Sequence, residues 1–226
     1  GEPLTSMTIP FHKPYITEAE VDAVAGVIRS GWLTMGPKTV EFEESFRARV
    51  GASQAVAVSS ATAALHLALI AAEVGEGDEV IVPAMTFAAS AEVVLYRGAR
   101  VVMADIERDT HLLDAGLLEG RIGPRTRAIM PVHYGGMPCD MDPVMDLARR
   151  HGLVIIEDAA HSLPARYKEK EVGVIGDLTC FSFYATKTLA AGEGGMITTE
   201  NSEWADRLRS LRLHGIGRDA WKRYSS

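Results

Sequence analysis

The chain has 226 residues, of which 47% are hydrophobic and 23% are charged, with a formal net charge of −7 and a pI near 5.5. This length and composition are typical of a soluble globular protein with one large hydrophobic core. The acidic balance gives no general attraction to nucleic acid or to an anionic membrane, and we expect neither as a partner. An anionic ligand must therefore be held by local groups.

The two cysteines, Cys139 and Cys180, have no CxxC spacing and no cluster of histidine ligands around them. This pattern disfavours a zinc site and a disulfide framework, so we expect no bound metal and a reducing, cytoplasmic location. No apolar run reaches the roughly 18 residues that a membrane-spanning helix needs, and the N-terminus lacks the layout of a secretion signal. We interpret residues 1–6 as a remnant of expression.

Two helices are expected near the N-terminus. Thr17–Glu20 has the sequence of a capping box, and apolar residues then recur at helical spacing until a glycine can end the helix. This pattern predicts an amphipathic helix over 17–30. A second helix is predicted over 39–50, with two phenylalanines on one face. We therefore divide the chain into an N-terminal segment, 1–16, and a single domain, 17–226.

Beyond residue 50, short apolar runs alternate with helical stretches. The predicted strands cover 55–58, 79–82, 100–103, 128–132, 153–156, 179–183 and 196–199. This alternation is typical of an α/β domain with a largely parallel sheet that is buried on both faces. Ligands of such sheets bind at the carboxyl ends of the strands. Because Ser60, Phe87, His133, Asp158 and Lys187 each lie just beyond a predicted strand, we expect them to face one pocket.

Two charged residues 29 positions apart carry the most informative functional signal. Asp158 follows an apolar strand, where a carboxylate needs a cationic partner to stay ionised. Lys187 follows another strand and precedes the glycine-rich turn Gly192–Gly195, which leaves room for a bulky ligand. An acid aimed at a pyridinium nitrogen and a lysine able to form a Schiff base are what pyridoxal 5'-phosphate requires. The alternatives are a helix cap or salt bridge for Asp158 and a solvated Lys187.

Other residues are candidates to hold the same cofactor. The segment Ser59–Thr62 precedes a predicted helix, whose free N–H groups and dipole favour a phosphate. Phe87 could stack on the pyridine ring, Ser182 could reach the phosphate, and His161 could support the ring hydroxyl or Asp158. An ordinary structural role remains open for most of them: a helix cap for Ser60 or Thr62, a core position for Phe87, and a partly exposed loop for His161.

Six segments, in this order along the chain, carry recognisable motifs: Ser30–Thr39, Ser60–His66, Gly77–Pro83, Glu157–His161, Phe181–Lys187 and Glu193–Gly195. Together they resemble the DegT/StrS class of sugar aminotransferases, within the fold-type I pyridoxal-phosphate enzymes, from about Ile9 to Arg223. One departure is Pro164-Ala165, where the class usually has Gly-Ala, and it removes no catalytic group. The resemblance implies a three-layer α/β/α domain with a mostly parallel sheet.

The resemblance also implies a role for each candidate residue. Lys187 would carry the cofactor and move protons, and Asp158 would bind the pyridine nitrogen. Ala61, Thr62 and Ser182 would bind the phosphate, and Ser60 stays a cofactor-binding candidate from its place before the helix. Phe87 would stack on the ring, with His161 beside it. Members of the class are longer, with a small C-terminal domain that sends a phosphate-contacting asparagine into the neighbouring subunit, so we expect a homodimer at full length and weak or no turnover from this chain.

The reaction implied is transfer of an amino group from glutamate to a nucleotide-linked 4-keto-6-deoxy sugar, in cell-surface polysaccharide or secondary-metabolite synthesis. His161 and the tail His214–Ala220 resemble the branch that aminates C4, while amination at C3 stays an alternative. A related 3-dehydratase has histidine in place of the lysine, which Lys187 argues against. A non-catalytic regulator on the same fold is disfavoured because both Lys187 and Asp158 are present. The chain lacks the GxGxxG turn of a dinucleotide-binding domain.

Overall fold

The computed structural model describes residues 9–216 of the chain. The α-helices in this range are α1 (Glu18–Ser30), α2 (Pro37–Val50), α3 (Ala61–Ala71), α4 (Ala89–Tyr96), α5 (Met141–His151) and α6 (Ser202–Leu211). The strands are β1 (Gln54–Val58), β2 (Glu79–Pro83), β3 (Arg100–Ala104), β4 (Thr126–Ile129), β5 (Val154–Asp158), β6 (Arg166–Tyr167), β7 (Lys170–Glu171), β8 (Leu178–Ser182) and β9 (Gly195–Thr199). No helix within 9–216 is long and apolar enough to cross a membrane.

Seven strands form one sheet in the order β1-β9-β8-β5-β4-β2-β3, and β6 and β7 form a separate small hairpin. All neighbouring pairs in the large sheet are parallel except the two that involve β9. Each of the seven predicted strands is present, and the prediction of a mostly parallel sheet is confirmed. The fourth strand ends at Ile129, earlier than predicted, because Pro131 has no N–H to continue the ladder.

Helices cover both faces of the sheet, so the three-layer α/β/α prediction is confirmed. Side chains alternate between the two faces of each strand. On β2, for example, Val80 and Val82 pack with helices α3, α4 and α6, whereas Ile81 packs on the opposite face with α5. Helix α2 lies on that opposite face as well, where Phe46 packs against Phe181 at a ring distance of 5.0 Å.

Helix α1 differs from the others because none of its residues is buried. It begins with the predicted capping box at Thr17 and ends at Gly31, whose φ of 75° favours glycine. The apolar face at Val21, Val24 and Ile28 is at least half exposed. The helix prediction is thus confirmed, but no described part of the chain covers its apolar face. The division of the chain at residue 16 stays a prediction.

A buried hydrogen-bond network supports the sheet beneath its carboxyl edge. Glu157 is fully buried; its Oε1 accepts from the Thr179 hydroxyl at 2.6 Å and the Gly176 N–H at 2.8 Å, and its Oε2 is 2.8 Å from Nε2 of His133. The Cys139 N–H donates to Nδ1 of His133, so Nε2 carries the ring proton and donates to Glu157. Every oxygen of this buried carboxylate therefore has a donor, which fixes β5 against β8.

Candidate active site

A cavity of about 570 Å³ opens at the carboxyl edge of the sheet. We call it the first cavity. Its walls come from the ends of β2, β5 and β8, from the chain that follows β4, and from the start of α3. It is lined by all the residues predicted from the sequence: Ser60, Ala61, Thr62, Phe87, His133, Asp158, His161, Ser182 and Lys187. The structure thus brings the candidates together, as the parallel strand pattern predicted, while the role of each stays a prediction.

Asp158 is the last residue of β5 and is only 5% exposed. Its Oδ2 accepts a hydrogen bond of 2.7 Å from the Ser90 hydroxyl, and its Oδ1 accepts one of 3.1 Å from the Ala160 N–H. It forms no ion pair with any residue of the described range, so the salt-bridge alternative is wrong. A buried carboxylate that forms no salt bridge and lines a cavity is matched chemically to a protonated pyridine nitrogen.

Lys187 lies on the turn that follows β8, where its backbone N–H donates to the Tyr184 carbonyl at 2.8 Å. Its side chain is partly buried in the cavity wall, so the solvated-lysine alternative is wrong. Burial lowers the pKa of Lys187, and the charge of Asp158 opposes that shift. Burial likewise lowers the pKa of His161, with Lys187 adding to the shift and Asp158 opposing it. These three groups therefore act on one another electrostatically within a single site.

The N-terminus of α3 provides the groups that a phosphate needs. The Ser60 hydroxyl accepts from the Ala63 N–H at 3.1 Å, as a helix cap. The backbone N–H groups of Ala61 and Thr62 have no partner within residues 9–216, as expected for the first turn of a helix. Nearby, the Ser182 hydroxyl accepts from the Tyr184 N–H at 3.3 Å and keeps its own proton to donate. The helix dipole and these donors favour an anion.

Gly195, the first residue of β9, lies directly against this turn. A Cβ at this position would be 2.6 Å from the carbonyl carbon and oxygen of Ser60 and 2.9 Å from the Ala61 nitrogen. The glycine-rich segment was expected to form turns around a ligand. The structure gives Gly195 a different role, because only a residue without a side chain lets the strand approach the backbone that forms the anion site.

Phe87 and His161 border the same cavity. Phe87 is 75% exposed, so the expectation of a core phenylalanine is wrong, and its ring is available for a ligand. His161 lies on the turn after β5, where its Nδ1 accepts from the Gly135 N–H at 3.3 Å and its ring packs edge-on to Tyr134. The partly exposed histidine expected from the sequence is thus present, and it is oriented by its neighbours.

Sequence reasoning missed the two hydroxyls behind Asp158. Thr86 Oγ1 lies 2.7 Å from Ser90 Oγ, and because Ser90 donates its proton to Asp158, Thr86 must donate to Ser90. The available signal was only their spacing of four residues, since Thr86 lies in the loop before α4 and Ser90 is the second residue of that helix. That spacing alone does not indicate Asp158, which is 68 residues away from Ser90.

Comparison with protein families matches residues 14–226 to the DegT/DnrJ/EryC1/StrS aminotransferase family. The chain belongs to this family. It is 50% identical to the spore coat polysaccharide biosynthesis protein SpsC of Bacillus subtilis over 218 residues, which cover 96% of the chain and 56% of SpsC. The chain thus spans little more than half the length of this curated relative.

Two solved structures from this family support the assignment. The putative sugar aminotransferase Spr1654 of Streptococcus pneumoniae, solved in PMP and PLP forms, is 40% identical; its PMP form gives a TM-score of 0.91 over 95% of the chain and 59% of Spr1654. DesV of S. venezuelae, solved with a ketimine intermediate, is 45% identical with a TM-score of 0.86 over 88% of the chain and 54% of DesV. The cofactor of the family is therefore pyridoxal 5'-phosphate, and the first cavity offers groups that fit its phosphate and its ring nitrogen.

The close approach of Gly195 to the phosphate turn leads to a first prediction. We expect Gly195→Ala to weaken binding of pyridoxal phosphate by about tenfold or more, because the new methyl group must displace backbone atoms of the anion site. Equilibrium dialysis measures the affinity. Gly194→Ala is the matched control, since the nearest neighbours of its Cβ would be side-chain atoms of Phe183 and Ala191, at 3.4 Å or more. Equal affinities of the two variants would contradict this role for Gly195.

The hydroxyl pair behind Asp158 leads to a second prediction. Ser90→Ala removes a donor from the carboxylate, and we expect the dissociation constant of pyridoxal phosphate to increase by about 3- to 10-fold. Thr86→Val should have a smaller effect, because it acts only through Ser90.

A double-mutant cycle tests whether Ser90 acts through Asp158. In an Asp158→Asn background, Ser90→Ala should change cofactor affinity much less than it does in the wild-type chain. Ser202→Ala, at the exposed start of α6, serves as the control for removal of a serine hydroxyl. If the effect of Ser90→Ala is the same in both backgrounds, Ser90 does not position Asp158.

Proposed function

We propose that this protein is an aminotransferase that transfers an amino group from glutamate to a nucleotide-linked 4-keto-6-deoxy sugar, in the synthesis of cell-surface polysaccharide or of a secondary-metabolite sugar. The observation that carries the proposal is the composition of the first cavity. A buried carboxylate without a salt bridge in the described residues, a lysine with a lowered pKa and the free N–H groups of a helix N-terminus line the same space. Membership of the sugar aminotransferase family supports the reaction class.

Asp158 and the start of α3 would hold the two ends of the cofactor. When bound, pyridoxal phosphate supplies an electron sink for the carbon that gains or loses the amino group. The Asp158 carboxylate would accept a hydrogen bond from the protonated ring nitrogen, and Ser90 fixes the direction of that carboxylate. The N–H groups of Ala61 and Thr62 and the hydroxyl of Ser182 would bind the phosphate.

Lys187 is the residue that would move protons. Its lowered pKa leaves a larger fraction of Nζ unprotonated near neutral pH than for an exposed lysine, so Nζ can both accept and return a proton. The fraction of unprotonated Nζ, and with it the capacity to accept a proton, increases as the pH rises through the lowered pKa of Lys187. Phe87, by stacking, and His161, by hydrogen bonding, would orient the cofactor ring between Asp158 and the start of α3.

The sugar assignment has more indirect support. SpsC is described as a spore coat polysaccharide biosynthesis protein and Spr1654 as a putative sugar aminotransferase. Glutamate as donor and amination at C4 rest on the sequence resemblance alone. Of the tail that resembles the C4 branch, only His214–Ile216 lies within the described residues, and 217–220 lies outside them. We propose in addition a cytoplasmic homodimer at full length, with 17–226 as the cofactor-binding domain.

Covalent attachment of the cofactor gives a third prediction. The wild-type chain mixed with pyridoxal phosphate should develop a visible absorption band, and borohydride reduction should trap the cofactor on residue 187 in peptide mass spectrometry. Lys187→Ala should lose both signals. Lys38→Ala, which removes an exposed lysine paired with Glu41, should retain them. A chain that is labelled on another lysine, or not at all, would lack the proposed chemistry.

The substrate proposal gives a fourth prediction, tested under single-turnover conditions so that weak activity is detectable. Cofactor-loaded chain in excess, with ¹⁵N-glutamate and dTDP- or UDP-linked 4-keto-6-deoxyhexoses, should yield an amino sugar with ¹⁵N at C4. NMR of the product distinguishes C4 from C3. Nitrogen at C3 would correct the regiochemistry. Because weak or no turnover is expected of this chain, the same assay is repeated on a protein extended to the full length of its relatives. Bound cofactor without nitrogen transfer to any of these sugars would then contradict the proposal and favour the regulatory alternative.

A further inference from the structure

The strand that leads into the anion site lies at the edge of the sheet. β1 is the end strand of the large sheet, and within residues 9–216 its only strand neighbour is β9. The outer side of an edge strand presents N–H and C=O groups that no neighbouring strand pairs, and proteins cover or disrupt such edges. The groups that cover the outer side of β1 therefore help to determine where this strand ends.

Two charged side chains cover this edge at Ala57. Oε1 of Glu43, on α2, accepts a hydrogen bond of 2.8 Å from the Ala57 N–H. Nη1 of Arg212, at the end of α6, donates to the Ala57 carbonyl at 2.9 Å and also to Oε1 of Glu43. The side chains of Glu43 and Arg212 are each only 10% exposed, and they form a salt bridge with each other. We call these two residues the edge pair.

The edge pair takes the place of a further strand. In an antiparallel ladder, a residue can give its N–H and its C=O to the same neighbouring strand. At Ala57 both groups bond to side chains instead, and each bond has one charged partner. Charge-assisted hydrogen bonds are roughly twice as strong as bonds between neutral groups. Because the partners come from α2 and from the end of α6, the pair also ties both helices to one point of β1.

This point lies next to the anion site. Only Val58 separates Ala57 from the turn Ser59–Thr62, which contains free N–H groups at the start of α3. On its other side β1 pairs with β9, where Val58 lies opposite Gly195, and Gly195 packs directly against the Ser60 carbonyl. A displacement of the end of β1 would therefore move the N–H groups of this turn relative to the first cavity.

We propose that the edge pair, Glu43 and Arg212, fixes the end of β1 and thereby holds the turn Ser59–Thr62 in the position that binds the cofactor phosphate. Both are positioning residues, since neither lines the first cavity. This inference rests on the proposed function, and it goes further by giving two residues outside the site a part in cofactor affinity. It also connects the anion site to the end of α6, because Arg212 lies 155 residues after Ala57.

Paired affinities for pyridoxal 5'-phosphate and for pyridoxal, which lacks the phosphate, isolate the contribution of the anion site. Both ligands have the same ring and aldehyde, so Asp158 and Lys187 contribute to the binding of both. Measured by equilibrium dialysis, the wild-type chain should bind pyridoxal phosphate at least about 100-fold more tightly than pyridoxal. Arg212→Met should reduce this ratio by about 3- to 10-fold, because the Ala57 carbonyl loses its donor and Glu43 loses its buried partner.

Three further variants complete the test. Glu43→Gln keeps an acceptor for the Ala57 N–H but removes the charge opposite Arg212, so it should reduce the ratio less. The double variant Glu43→Gln/Arg212→Met should have a ratio close to that of Arg212→Met alone, because the two residues act as a unit. Arg209→Met is the matched control. Arg209 lies three residues earlier on α6 and donates to the Gln54 side chain at the other end of β1, so its loss should leave the ratio unchanged.

Circular dichroism and thermal unfolding first establish that each variant is folded, and if Arg212→Met is not, Glu43→Gln carries the same comparison. The inference is wrong, and the proposed function stands, if folded Arg212→Met keeps the wild-type ratio or loses affinity equally for both ligands. It is also wrong if Arg209→Met reduces the ratio as much.

Two results for the wild-type chain separate this inference from the proposed function. If the chain binds both ligands equally and borohydride still traps the cofactor on Lys187, the phosphate assignment and this inference fail, while the covalent chemistry stands. If the chain binds neither ligand, both the proposed function and this inference are overturned.

Discussion

The arrangement of the site depends on one buried carboxylate. Asp158 lies at the end of a strand inside the sheet, where the charged form of an acid is costly without a compensating partner. The protein supplies hydrogen bonds from Ser90 and Ala160, but no salt bridge from any residue within 9–216. A carboxylate left in that state is matched to a ligand that brings its own positive charge. Lys187 and the N–H groups at the start of α3 line the same cavity. They therefore limit the size and the charge distribution of a ligand that can bind there.

The parallel sheet makes this arrangement possible. Neighbouring side chains on a strand point to opposite faces, so Glu157 and Asp158 are directed apart although both are buried acids. The carboxylate of Glu157 accepts hydrogen bonds from His133, Thr179 and Gly176, so its role is structural. Burial alone would raise the pKa of Glu157, but the hydrogen bonds from His133, Thr179 and Gly176 lower it below its ordinary value. Adjacent carboxylates thus have separate roles because Glu157 is enclosed by three donors, whereas Asp158 has two and lines the cavity.

Much of this was predictable from the sequence, and the reason is physical. Buried parallel strands are short apolar runs, and their carboxyl ends meet at one edge, so Asp158 and Lys187 could be placed together without coordinates. The exposed position of the Phe87 ring and the hydroxyl pair behind Asp158 could not be predicted, because they depend on contacts between segments distant in the chain. The exposure of the apolar face of α1 could not be predicted either, since periodicity predicts an amphipathic helix but not what covers its apolar face.

Two adjoining spaces at this edge of the sheet differ in how they are built. The first cavity is formed mainly by strand ends and by the start of a helix, which the core holds in place, and its residues coincide with the recognisable motifs. The neighbouring space, of about 350 Å³, is bordered partly by Phe11 and His12 and by the turn that carries Thr188 and Leu189. Residues on loops vary more freely than residues on packed elements, because few core contacts constrain them. Motifs are therefore expected to identify the reaction class and to leave the position of amination undetermined.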